Sequence, residues 1–319
     1  MKPVKIILDT DMGGDCDDTG ALALLHALAE RGECELLAVT HCFRGRHYAG
    51  CMDAINRFYG RENLPVAVCT DEGADAGNDV YATWASQMFP NRFQHDEPLT
   101  DTLECLRRTL ACAQDGEVTL VAVGSLYSLR RLLESGADEL SALDGKALIK
   151  RKVCQTVVMG GRFHQRWPEP IVFSNGYVVD AEFNIKADIP SAQAVVNAWP
   201  GKLVFCSYEI GYPLITGEKL QQEAGPDHPV AACYRYWHER TGTPGAGRES
   251  WDLTTALYAA RPGAALWELS EAGRICVDDE GVTSFEAAED GKHFYLLEKS
   301  EPDEVCQIIN SLIQHGMEG

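Results

Sequence analysis

Short apolar runs, each rich in β-branched residues and ended by glycine or polar residues, alternate with helical patterns along the first two thirds of this 319-residue chain. The runs at 4–8, 36–40, 65–69, 118–123, 153–159 and 203–206 read as buried strands. Helical spacing covers 18–29, 48–59, 102–113, 126–134 and 191–198. The first of these sets Leu22, Leu25 and His26 on one side and stops at Glu30–Arg31–Gly32. Strands joined through helices pair in parallel, and parallel strands need cover on both faces. The expected fold class is therefore α/β, an open and mostly parallel sheet with helices on both faces.

The last third reads differently. A helix at 229–241 precedes a glycine-rich loop at 242–248 and a second helix at 253–260. Strand-like pieces at 274–277, 283–285 and 294–297 follow, separated by the turn residues 279–281 and 290–291. They suggest an antiparallel meander at the sheet edge, closed by a helix at 302–313. The chain has no internal repeat, low-complexity segment or linker, so residues 1–319 are expected to form one domain.

Charge narrows the range of partners. Lys and Arg number 28 against 48 Asp and Glu, a net charge of −20. A nucleic acid asks for a basic surface, and anionic lipid repels an acidic one. Neither a nucleic-acid nor a membrane partner is expected. No apolar run approaches the ~20 residues of a spanning helix, and the opening MKPVKIILDTD has no signal-peptide core. The 12 cysteines form no CxxC pair, and many, such as Cys69, Cys154 and Cys206, sit inside apolar runs. They read as free thiols in a reducing cytoplasm.

The chemistry concentrates in residues 6–24, IILDTDMGGDCDDTGALAL. A buried strand ends in Asp9, a glycine pair bends the chain, and a helix begins near Asp18. Asp9, Asp11, Asp15, Asp17 and Asp18 thus gather at the carboxyl end of a strand, where open α/β sheets bind ligands. Helix capping accounts for Asp17 and Asp18 and leaves the others unexplained. Five carboxylates so close call for a cation, and hard oxygen donors point to calcium or magnesium. The strand followed by Asp-x-Asp also resembles the start of haloacid-dehalogenase-type phosphatases, with Asp9 as nucleophile. Against that stand Met12, where Thr or Val is usual, and the want of a convincing downstream lysine and acidic pair.

Four segments in order resemble the nucleoside hydrolase family, as a divergent branch of its inosine- and uridine-preferring type. They are DTDMGGDCDDTGALAL at 9–24, VTLVAVGSLYSLRRLL at 118–133, the MGG and AEFN blocks within 157–192, and SWDLTTALYA at 250–259. The resemblance implies a Rossmann-like fold and a calcium-dependent hydrolysis of an N-riboside to ribose and free base. It implies that Asp11 is a metal ligand and the general base, and that Asp18, the main-chain carbonyl of Val123 and Asp252 complete the metal site. Asp17, Asn175, Glu182 and Asn184 correspond to the residues that hold the ribose. This correspondence needs two extra residues in the acidic loop, which leaves Asp15 without a role and keeps Cys16 off a ligand position. Asp9 is expected to orient the cluster. The resemblance further implies a dimer or tetramer.

The departures fall on the nucleobase side. Trp251 precedes Asp252 where many relatives carry a histidine; an indole stacks on a base but cannot protonate it. His238 and His164 are candidate replacement acids. The usual Gly-Asn after the second strand is replaced by THCFRGR at 40–46, where Arg44 or Arg46 can meet an anionic group. A catalytically weak calcium- and ribose-binding homologue is the remaining rival.

Overall fold

The computed structural model describes residues 2–75, 77–163, 171–172 and 178–315. Its strands are β1 (Val4–Thr10), β2 (Cys34–His41), β3 (Val66–Val68), β4 (Val118–Ala122), β5 (Val153–Met159), β6 (Ile171–Val172) and β7 (Val178–Val179). They continue as β8 (Leu203–Cys206), β9 (Ile215–Thr216), β10 (Arg248–Glu249), β11 (Trp267–Leu269), β12 (Gly273–Val277), β13 (Thr283–Ala287) and β14 (His293–Glu298). The main sheet runs β13-β12-β14-β8-β5-β4-β1-β2-β3, with β11 paired to β14. From β14 to β3 every neighbour is parallel.

Alternation along each strand divides the core in two. Ile6 and Leu8 enter one apolar cluster while Ile7 enters the other, and Val157 and Val158 of β5 part in the same way. Helices Asp17–Glu30, Arg46–Phe58, Pro229–Thr241, Trp251–Ala260 and Pro302–Ile313 cover the first face through Leu22, Met52, Tyr234, Leu253 and Val305. Helices Thr102–Cys112, Tyr127–Glu134, Gly145–Lys152 and Ile189–Ala198 cover the second through Leu106, Leu129, Leu148 and Val195. Strands buried on both sides are why the sequence shows continuous apolar runs there. Among the described residues, no helix is long and apolar enough to cross a membrane.

The sheet edge corrects one expectation. β12 and β13 form the antiparallel hairpin, but β14 does not continue a meander. It returns between that hairpin and β8 and lies parallel to β8, with His293 opposite Leu203. Side-chain pattern encodes that a strand exists; its neighbours are set by the path of the connecting chain.

The strand order also fixes the place of chemistry. From β1 the chain winds outward through β2 and β3, then returns to place β4 on the other side of β1. The order reverses between β1 and β4, and the crevice beyond their carboxyl ends is the switch point where such sheets take ligands.

Candidate active site

β1 delivers Asp9 and Asp11 into that crevice. Asp9 is 3% exposed and its Oδ1 accepts from Thr40 Oγ1 at 2.6 Å. Thr10 Oγ1 donates to an oxygen of Asp18 and accepts from the Met12 N–H at 3.1 Å, so the strand end grips the start of the following helix. The chain turns at Gly13, whose φ of 143° L side chains rarely adopt, and its missing Cβ would lie 2.7 Å from the Tyr48 ring. The Asp17–Glu30 helix then begins without a side-chain cap, so neither Asp17 nor Asp18 is spent on capping it.

Asp17, Asp18 and Asp252 are buried, and one carboxylate oxygen of each lies within 4.8 Å of the others. Asp252 enters on the first turn of the Trp251–Ala260 helix, whose cap position belongs to Ser250. Its main-chain N–H donates to Asp17 Oδ2 at 3.1 Å. None of the three makes an ion pair among the described residues. A buried, all-oxygen donor set without a counter-ion fits a hard cation.

Asp11 stands beside this group on the β4 side. A Cβ on Gly124 would lie 2.8 Å from Asp11 Cβ and 2.9 Å from its nitrogen, so the turn after β4 is pressed against Asp11. Val123 sends its N–H to the Asp9 carbonyl at 2.8 Å, and its own carbonyl accepts from Asn184 Nδ2 at 2.9 Å. Asn184 Nδ2 also reaches the Met159 carbonyl at 3.2 Å. Glu182 caps the Phe183–Ala187 helix, accepting from the N–H groups of Asn184 (2.9 Å) and Ile185 (3.2 Å), and from Gly161 at 3.1 Å. Glu182 is nevertheless close enough to Asp11 to act on its charge. Asn175 and His164 lie outside the described residues.

Burial governs the electrostatics. It pushes Asp9, Asp11 and Glu182 up to about 7; the charges of Glu182, Asp15 and Asp9 add to the rise at Asp11. Asp17, Asp18 and Asp252 are raised well above the ordinary carboxylate range by burial and mutual repulsion. A carboxylate near 7 is matched to proton transfer at neutral pH. The buried Cys42 thiol is pushed up by burial and by the charges of Asp11 and Asp9 beside it.

Next to the crevice, a cleft of about 300 Å³ is bordered by Cys42, Phe43, Ser125, Tyr127, Asp75 and Asp188. Arg44 and Arg46 direct their guanidinium groups to main-chain carbonyls, of Ala74 at 2.9 Å and of His95 and Glu97 at 3.1 and 2.8 Å. On the other side stands an aromatic wall. Tyr208 stacks on Tyr212 (5.2 Å, 28°) and on Trp251 (5.5 Å, 28°), and Trp251 donates from Nε1 to the Tyr208 carbonyl.

The chain from residue 6 to residue 309 matches the family model described as inosine-uridine preferring nucleoside hydrolase. It belongs to that family.

As a nucleoside hydrolase it is an N-glycosyl hydrolase, and the phosphatase reading falls with the assignment. Solved structures share its fold. A plant nucleoside hydrolase (PpNRh1) superposes with TM-score 0.71 at 18% identity, covering 98% of this chain and 99% of its own. The inosine-uridine preferring nucleoside hydrolase of Bacillus anthracis gives 0.69 at 18%, with 98% and 99% covered. The purine-preferring ribonucleoside hydrolase of Gardnerella vaginalis gives 0.73 at 16%, with 99% and 100% covered. No curated protein matches the chain by sequence.

Within this nucleoside hydrolase, the structure brings together Asp11, Asp17, Asp18, Val123, Glu182, Asn184 and Asp252 from four separate segments. His238 faces Arg248 and Asp15 rather than the Asp17, Asp18 and Asp252 group: its Nδ1 meets Thr243 Oγ1 at 2.8 Å, its ring meets Trp237 edge-on, and burial, with the charge of Arg248, lowers its pKa. Sequence reading missed Arg248, which pairs with Asp15. The available signal was Asp15 itself, an extra carboxylate in an acidic loop that needed a cation from elsewhere.

Proposed function

We propose that this nucleoside hydrolase cleaves the N-glycosidic bond of a ribonucleoside or related N-riboside, giving ribose and free base, with calcium as its metal. The observation that carries this reading is the meeting of Asp17, Asp18 and Asp252 beside Asp11 at the switch point. Asp18, Asp252, Asp11 and the Val123 carbonyl would hold the ion, an oxygen-only set that suits calcium. When bound, the cation supplies charge that activates water and a docking point for ribose hydroxyls.

The remaining work falls to side chains. Asp11 takes the proton of the attacking water at a carboxylate oxygen. Asp17, Glu182, Asn184 and Asn175 orient the sugar, and fixed orientation can contribute roughly 7–11 kcal/mol in ideal cases. The clustered carboxylates stabilise positive charge as it develops at the anomeric carbon. Trp251 offers an apolar flank to the base. All 12 cysteines are free, in keeping with a cytoplasmic setting. Assembly as a dimer or tetramer belongs to the same reading and is checked by light scattering.

The test is release of reducing sugar from a nucleoside panel, first with calcium and then with a chelator. Calcium-dependent release from any member supports the reading; release undiminished by the chelator counts against the metal. A second reading, a calcium- and ribose-binding protein with little turnover, is favoured by one observation. Trp251 takes the place of the usual histidine and already contacts Tyr208 and Arg248 with its ring. Silence across the panel with calcium bound selects it.

A further inference from the structure

Asp15 is a surplus carboxylate in the acidic loop, and its partner comes from 233 residues away. Arg248 of β10 donates to both of its oxygens, from Nε at 2.9 and 3.0 Å and again from Nη2. A further N–H, on Nη1, goes to Glu249. The guanidinium carbon lies 4.7 Å from the ring centre of Trp237 and 4.9 Å from that of Trp251. Both indoles are themselves tied down. Trp237 Nε1 donates to the Gly14 carbonyl at 2.9 Å, on the acidic loop itself, and Trp251 Nε1 to the Tyr208 carbonyl at 2.9 Å. Tyr81 holds the loop from a further side, donating its hydroxyl to the Asp15 carbonyl at 2.7 Å.

Arg248 thus ties together the two segments that must meet if the carboxylates are to converge. Asp15 lies two residues before Asp17, and Trp251 immediately precedes Asp252. We infer that Arg248 is a positioning residue for the metal site: it fixes the acidic loop against the start of the Trp251–Ala260 helix, so that Asp17 and Asp18 meet Asp252. The inference rests on the metal reading of that site. Only arginine offers a planar fork for two carboxylate oxygens together with faces that stack on aromatic rings; lysine keeps the charge and loses both.

Coulomb's law separates this role from a charge effect. A positive group beside a cation site opposes cation binding, so removing the charge alone would tighten it. Loss of positioning weakens it. The experiment is a calorimetric titration of the metal-free wild-type chain, Arg248→Met and Arg248→Lys with calcium, with circular dichroism to check folding. We expect Arg248→Met to bind about 10–100-fold more weakly, the range seen when a group that orients metal ligands is removed. Arg248→Lys is expected to fall between it and the wild type. Unchanged or tighter binding in folded Arg248→Met overturns the inference while leaving the metal reading intact. Should Arg248→Met fail to fold, Arg248→Lys decides: weaker binding supports the role and wild-type affinity overturns it. A wild-type chain that binds no calcium overturns the metal reading and this inference with it.

Discussion

The main-chain N–H of Asp252 donates to Asp17 Oδ2 at 3.1 Å, joining residues 235 apart in the chain. One helix start is thereby satisfied by the carboxylate of another, and both aspartates are held facing Asp18. Replacing Asp252 by Ala keeps the N–H and removes only the carboxylate. Calcium affinity is expected to fall about ten-fold or more, since affinity follows the number of charged ligands. Calorimetric titration checks this, and an unchanged affinity would place the metal elsewhere.

Gly124 offers a test of the position of Asp11. A methyl group there would press on Asp11 Cβ, N and Cγ at 2.8, 2.9 and 3.0 Å, and neither β1 nor β4 can move aside. Gly124→Ala is expected to destabilise the fold by about 1–3 kcal/mol. By displacing Asp11 it should also lower kcat about 100-fold. Full kcat in this variant would mean that the position of Asp11 is unimportant.

Asp11→Asn keeps the shape of the site and removes proton acceptance. The expected loss in kcat is about 10²–10⁴-fold, with circular dichroism unchanged. Turnover near the wild-type value would assign the general base to another carboxylate, with Glu182 the first candidate.

The pH dependence of stability should weaken with metal. In the metal-free protein, Asp9, Asp11 and Glu182 titrate at about 7, and Asp17, Asp18 and Asp252 are raised well above their ordinary value. Between pH 4 and 7 these six hold protons that the unfolded chain has lost, so stability rises as pH falls through that window. Buried His26, His41 and His228, lowered to about 3, 4 and 4, act oppositely. They are neutral when folded and take protons on unfolding below about pH 6.5, each worth up to about 1.4 kcal/mol per pH unit. His47, His238 and His293 are lowered as well, but all six histidines act only below about pH 6.5 while the carboxylates hold their protons to about 7 or beyond, so the chelated protein should be more stable at pH 5.5 than at pH 7.5. Saturating calcium ionises the ligand carboxylates Asp11, Asp18 and Asp252 in the folded state, so their contribution is lost and the gain in stability on acidification should shrink. Thermal melts at the two pH values, with calcium and with chelator, read the slope directly. The same slope in both conditions would contradict the metal assignment.

Much of this was legible in the sequence because its signals are local. Strands β5 and β8 fall at the expected residues, as do the helices Pro229–Thr241 and Pro302–Ile313. A strand buried on both faces must be apolar throughout, and a helix must repeat its apolar face with its own period. The acidic loop was equally visible, because five aspartates in ten residues have few structural explanations. Element ends were less exact: β1 runs on to Thr10, since Asp9 and Thr10 are polar but still paired.

The sequence by itself determined most of the long strands and helices, though not the Gly145–Lys152 helix or the short strands β6, β7, β9, β10 and β11, and it placed a cluster of carboxylates at the end of the first strand. Only the tertiary structure decided which aspartates converge. The Asp17, Asp18 and Asp252 carboxylates meet while Asp15 turns to Arg248, although Asp15, Asp17 and Asp18 stand within four residues. Spacing along one loop cannot distinguish them; the choice depends on where Arg248, Trp237 and the Trp251–Ala260 helix arrive in space. The position of β14 was hidden for the same reason. Periodicity records the surroundings of each residue, whereas the pairing of remote segments depends on how the whole chain closes around its core.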